Sequence, residues 1–184
     1  MKKGALIIGG LLLLAIIVFM KYRSNYNEAN RYQKQVEESW GKVQSSYQRR
    51  ADLVPQLVAT VKGAANNEKE ILTQVTQARA GIVNAKTPED MEIMGKKINT
   101  AINLAFEAYP QIRSTENFQN LQAQLEGTEN RINYARDQYN EAVKVYNEHI
   151  TGFLNEMLLN KTRFPVKESF QAAAGAENAP KVEF

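Results

Sequence analysis

The chain is 184 residues long, enough for one domain, with 23 Lys plus Arg against 20 Asp plus Glu and a net charge of +3. That excess is too small for a nucleic-acid footprint, and no basic run is interleaved with aromatics, so no nucleic-acid partner is expected. No cysteine and a single histidine, His149, exclude disulfides, thiol nucleophiles and Cys-ligated zinc, and argue against a His-rich metal site or a Ser-His-Asp triad.

The first element is apolar. From Gly4 to Met20 the sequence reads GALIIGGLLLLAIIVFM, 17 residues without a charge, between Lys2-Lys3 and Lys21 and Arg23. Seventeen residues is the short end of what a helix needs to cross the hydrocarbon core. A cleaved signal peptide would need small residues before the cut, and Phe19-Met20-Lys21-Tyr22-Arg23 offers none, so residues 1–21 read as an uncleaved anchor in a lipid bilayer. Flanking charges nearly tie under the positive-inside rule. The very short basic tail points to a cytoplasmic N-terminus, with the body on the outer side of the membrane.

Beyond the anchor, apolar residues recur at spacings of three and four. Val36, Trp40, Val43, Tyr47, Ala51, Val54, Val58 and Val61 form one helical stripe that ends near Gly63, a fitting C-cap. Pro55 falls inside the stripe, removes one intrahelical hydrogen bond and predicts a bend, but the stripe continues in phase beyond it. A second helix, about 67–85, carries Ile71, Val75, Ala78 and Ile82. Thr87-Pro88-Glu89-Asp90 then supplies an N-cap, a proline at the first helical position and acids in the first turn. The third helix places Met91, Met94, Ile98, Ile102 and Ala105 on one face until Tyr109-Pro110. The fourth, from about Thr115 with Ser114 or Thr115 as cap, has Phe118, Leu121, Leu125, Thr128, Ile132, Ala135, Tyr139, Ala142 and Tyr146 in heptad phase.

No strand-like alternation occurs in the body, so the predicted class is all-α. Helices one (22–62) and four (115–154) would each run roughly 60 Å, the other two about half that. An up-down-up-down path follows: an antiparallel four-helix bundle over about 41–62, 66–85, 88–109 and 115–136. Residues 22–40 and 137–155 are left as a two-helix, membrane-proximal stalk continuous with the single transmembrane helix. The predicted domains are therefore 1–21, the anchor; 22–155, bundle and stalk; and 156–184, an apolar segment followed by a tail. That segment, GFLNEMLLNKTRF from Gly152 to Phe164, has no bundle left to cover it. It reads equally as an interfacial segment or neighbour-copy contact and as a fold-back onto the stalk's own seam; Tyr22, Tyr26 and Tyr32 would support an interfacial position. After Arg163 periodicity is lost, which predicts an extended or mobile tail.

No phosphate loop, GxSxG elbow or HExxH pair is present. His149 has Val145 and Phe153 as its helical neighbours, which makes it a solvated or interface histidine rather than a ligand. Glu37-Glu38, Glu68-Glu70 and Glu89-Asp90-Glu92 read as solvated faces, and Arg49-Arg50 with Asp52 as local ion pairs. No catalytic, cofactor-binding or metal residue is assigned. Among the helix glycines Gly41, Gly81, Gly95 and Gly127, Gly127 is the expected point of close helix approach, beside a polar seam residue, Thr128.

Three stretches carry a resemblance. RRADLVPQLVATVKG (Arg49 to Gly63), EAYPQIRSTENFQNLQAQLEGTENRINYARDQYNEAV (Glu107 to Val143) and the ending AENAPKVEF closely resemble the bacterial LemA family. The resemblance implies a membrane-anchored antiparallel helical bundle without established catalytic residues. Its members are often encoded beside HtpX-type membrane proteases or TPM-domain proteins, which makes these the implied partners. The segment after Ile150 departs from the FPxN-like sequence commoner in the family. The expected function is a non-enzymatic scaffold of the cell envelope that forms a homo-oligomer through its bundle and membrane-proximal segment. The alternative is a monomeric adaptor or sensor, with Thr128, Asn130 and Tyr134 as candidates to line a ligand site.

Overall fold

Local signals at the chain's turns divide it into helices. The computed structural model describes residues 2–60, 68–108 and 116–171. It contains α1 (Lys2–Thr60), α2 (Glu68–Asn84), α3 (Pro88–Ala108), α4 (Glu116–Thr151) and a short α5 (Phe153–Leu158). No strand occurs among the described residues. The anchor and first body helix are one element, and α1 continues through Pro55 to Thr60. The predicted ends at Gly63, Tyr109-Pro110 and Ser114-Thr115 lie outside the described residues. The turn into α3 forms as its sequence dictates: Thr87 Oγ1 accepts from the Asp90 amide at 3.1 Å, and Asp90 Oδ2 accepts from the Thr87 amide at 3.2 Å. This reciprocal capping box satisfies donors that no helical carbonyl can reach. The hydrogen bond from Thr87 and the Lys86 amide hold the Asp90 carboxyl below its ordinary range.

The chain divides into two compact units. Unit 1 is drawn from Met1–Trp40 and Glu141–Lys167, unit 2 from Gly41–Asn140 and Glu168–Phe184. In unit 1, α1 is long and apolar enough to span a membrane, and its apolar window is wholly exposed. Past that window Ala29 and Val36 of α1 are buried with Val143, Tyr146 and Ile150 of α4 and with Leu159 and Phe164 beyond α5.

In unit 2 the core is built from Val43, Tyr47, Ala51 and Val54 of α1, Val75, Ala78 and Ile82 of α2, Met91, Ile98 and Ile102 of α3, and Leu121, Leu125, Ile132 and Ala135 of α4. Gln44 Nε2 donates to the Ile82 carbonyl at 3.2 Å while Asp52 pairs with Arg79 at 2.8 Å, so α2 runs opposite to α1. Arg50 bonds Asn99 of α3 and the Leu125 carbonyl of α4. Glu92 of α3 pairs with Arg136 of α4 at 2.9 Å, which with Arg50 sets α3 opposite to α4.

Several sequence expectations change here. Ser39 is buried where Trp40 was expected on the stripe, and Trp40 is half-buried. In α4 Val143 takes the inward place expected for Ala142, because a 3.6-residue helix drifts out of a strict heptad. Gly127 and Gly41 do not mark a close approach: a Cβ there would meet nothing within 4 Å. The close approaches lie instead at Gly95, where a Cβ would come 2.7 Å from the Tyr47 ring, and at Gly81, beneath the Met94 thioether. The Arg-Asp pairs are not local either, since Arg50 reaches Glu129 at 2.8 Å and Asp52 reaches Arg79 at 2.8 Å.

Candidate functional site

Two features of unit 1 stand apart from ordinary helix packing. The first is the end of α4. His149 is 13% exposed at its side chain, and its Nε2 lies 3.1 Å from the Asn25 carbonyl of α1. Its Nδ1 is 3.9 Å from Glu28, and its ring meets Tyr32 edge-on at 5.2 Å. It is an interface histidine within unit 1. Gly152, at φ −58° and ψ 140°, then turns the chain out of α4, so the helix stops three residues short of the expected Leu154.

The second feature is α5. Its inner side is tied down, with Asn155 Nδ2 donating to the His149 carbonyl at 2.7 Å and Leu159 buried one turn on. Its outer side carries Phe153, Leu154, Met157 and Leu158, exposed by 80%, 63%, 74% and 38%. The segment from Gly152 to Phe164 therefore divides into two parts. Leu159 and Phe164 fold back, Phe164 meeting the Tyr26 ring edge-on at 5.2 Å, while α5 leaves four apolar side chains uncovered.

After Phe164 the chain is extended as expected, but it is pinned. Within unit 1, Tyr146 donates to the Pro165 carbonyl at 3.0 Å. Asn147 holds Lys167 from both sides, Nδ2 to the carbonyl at 2.8 Å and Oδ1 from the amide at 3.0 Å. Within unit 2, Asn140 holds Phe170 in the same way, at 3.1 and 2.8 Å, and Tyr139 donates to the Glu168 carbonyl at 3.0 Å. A carboxamide offers one donor and one acceptor side by side, which matches the amide and carbonyl of one extended residue. Phe170 is buried against Tyr139, and the Arg136 guanidinium lies 4.6 Å over its ring. Burial, and then the Glu168 charge, push the Tyr139 hydroxyl up to about 12. Burial likewise raises Tyr47 and Tyr146. The tail from residue 172 lies outside the described residues.

The polar residues suggested for a ligand site do not converge. Thr128 is buried and donates to the Leu125 carbonyl at 2.8 Å, whereas Asn130 and Tyr134 are exposed, and Tyr134 accepts from Gln138 at 2.9 Å. A polar hollow does open elsewhere in unit 2, lined by Asn133, Arg136, Asp137, Asn140, Phe170 and Gln171. Sequence reasoning missed the asparagine clamps because an asparagine on a helix carries no mark of a strap 20 or 30 residues away. Among the described residues no three His, Asp or Glu side chains come together as metal ligands. Of the acidic groups considered earlier, Glu92 is paired, Asp90 caps α3 and Glu37 accepts from Gln33.

The model of the LemA family matches residues 39–184, from the middle of α1 onward. The chain belongs to the LemA family. A relative described as protein LemA, from Metamycoplasma hominis, is 23% identical over 161 residues, which covers 85% of this chain and 74% of the relative. The family match takes in all of unit 2 and both asparagine clamps, so these lie in the part of this LemA-family chain that resembles its kin.

Proposed function

We propose that this LemA-family chain is a non-enzymatic, membrane-anchored scaffold of the bacterial cell envelope. In this reading α1 to α4 form an up-down-up-down four-helix bundle, carried on a two-helix stalk at the outer side of the cytoplasmic membrane. Copies associate laterally through their helices. The observation that carries the reading is how the polar side chains are used. Arg50, Arg136, Asn140, Asn147 and Gln44 all hold one segment of the chain to another. Groups spent on internal bonds stiffen a molecule rather than bind a substrate. Among the described residues of unit 2, Val83, Ile93 and Tyr134, exposed by 65%, 44% and 65%, are outward apolar residues through which copies would meet.

Particle size after gentle solubilisation from native membranes, read by mass photometry, tests this. A large, regular homo-oligomer that shrinks in Ile93→Glu or Tyr134→Glu is expected, and a single copy refutes self-assembly. The hollow beside Arg136 and Phe170 favours a second reading, an adaptor whose ligand or client, such as an HtpX-type protease or TPM-domain protein, docks there. One copy recovered with a different protein would support it.

A further inference from the structure

Burial and hydrogen bonding determine which side of α5 the protein keeps for itself. Asn155 and Leu159 lie on one side, and both are engaged: Asn155 bonds the end of α4 and Leu159 is buried. Phe153, Leu154, Met157 and Leu158 lie on the other, spaced one and four apart as one helical face, and all are exposed. An apolar face left uncovered marks an interaction surface.

Its place in unit 1 says what covers it. The chain enters α5 from His149, whose ring bonds the Asn25 carbonyl, and leaves it through Phe164, which packs on Tyr26. Both attachments grip α1 five or six residues past Met20, where the uncharged run ends. At the rise of an α-helix this is about 8 Å, which reaches the polar headgroup layer outside the hydrocarbon core when the run spans a bilayer. Tyr22 and Tyr26, both part-exposed, stand at the same level, where tyrosines favour the interface. Lys21 and Arg23, directly after the uncharged run, supply cations for lipid phosphates, whereas Lys161 is paired with Glu156 of α5 at 2.8 Å.

We propose that α5 is a second, interfacial membrane contact: Phe153, Leu154, Met157 and Leu158 insert into the monolayer beside α1. The occupant is lipid, because the residues that flank α5 are fixed to α1 within six residues of the end of its uncharged run. The inference rests on the reading of α1 as a membrane span. A second contact stops the protein rotating and tilting about a single helix, which gives neighbouring copies a common orientation.

The natural chain has no cysteine, so a single introduced thiol labels one place. The full-length chain carries a fluorophore at Met157→Cys, Leu12→Cys or Gln35→Cys in vesicles of phosphatidylethanolamine and phosphatidylglycerol. Quenching is compared among lipids bearing a nitroxide high on the acyl chain, lipids bearing one near the chain's end, and a water-soluble quencher. The label at 157 is expected to be quenched by the shallow lipid nitroxide at least about 3-fold more than the label at 35, as interfacial insertion requires. If 12 is lipid-quenched but 157 responds only to the aqueous quencher, the interfacial contact is refuted and the anchor stands. If 157 is shielded from both quenchers, protein covers α5 and the inference is likewise refuted. If 12 itself is not lipid-quenched, the anchor reading falls and this inference with it.

Discussion

Replacing Asn140 by alanine removes both halves of one clamp and nothing else of comparable reach. The carboxamide donates to the Phe170 carbonyl at 3.1 Å and accepts its amide at 2.8 Å. Each such bond contributes about 1 kcal/mol net, so the strap loses roughly 2 kcal/mol at this residue. The loss is local, because Tyr139 still holds Glu168 and the Phe170 ring still packs on Tyr139. Amide hydrogen exchange of the full chain in nanodiscs reads the effect where it occurs. An opening cheaper by roughly 2 kcal/mol lowers the protection of the Phe170 amide about 30-fold. The Lys167 amide, held by Asn147, serves as the internal reference and keeps more of its protection. Unchanged protection of Phe170 in Asn140→Ala, or none in the natural chain, would refute the clamp as the force that orders the strap.

Two further predictions concern packing and pH. Gly127→Ala is expected to raise stability by up to about 1 kcal/mol, since the added methyl enters open space and helix propensity improves. Gly95→Ala drives a methyl against the Tyr47 ring and is expected to cost about 1–3 kcal/mol; equal urea midpoints for the two variants would contradict the packing. Tyr139 titrates at about 12 in the folded chain against an ordinary value of about 10, so the folded state holds its proton more tightly. Its contribution is complete below pH 10 and is lost as pH rises through 12, roughly 2 kcal/mol in all. Tyr139→Phe lacks that component, so its urea midpoint should fall less between pH 9 and pH 12 than that of the natural chain; parallel falls would sink the argument.

Much of the helical layout is legible in sequence because helix ends are local. Thr87, Pro88 and Asp90 cap α3 within four residues of one another, and α3 begins at Pro88 as expected. Periodicity also identifies Val75, Ala78 and Ile82 as the inward face of α2. It fails by one position at Ser39 and Val143, where residues next to each other compete for the same seam.

The candidate site was less visible. A run such as Gly152 to Phe164 shows that apolar residues need cover, but not which of them receive it. That division follows from Asn155 and Phe164 finding partners on α4 and α1.

The sequence by itself determined what depends on near neighbours: the all-helical class, the apolar N-terminal run, the start of α3 and the inward stripes. Each rests on capping, propensity and spacing within a few residues. Only the tertiary structure decided which glycines meet a neighbour, which carboxylates pair with Arg50 and Arg79, and which asparagines hold the strap. Those contacts join residues 13 to 79 positions apart, and side-chain chemistry carries no record of a partner brought close only by folding.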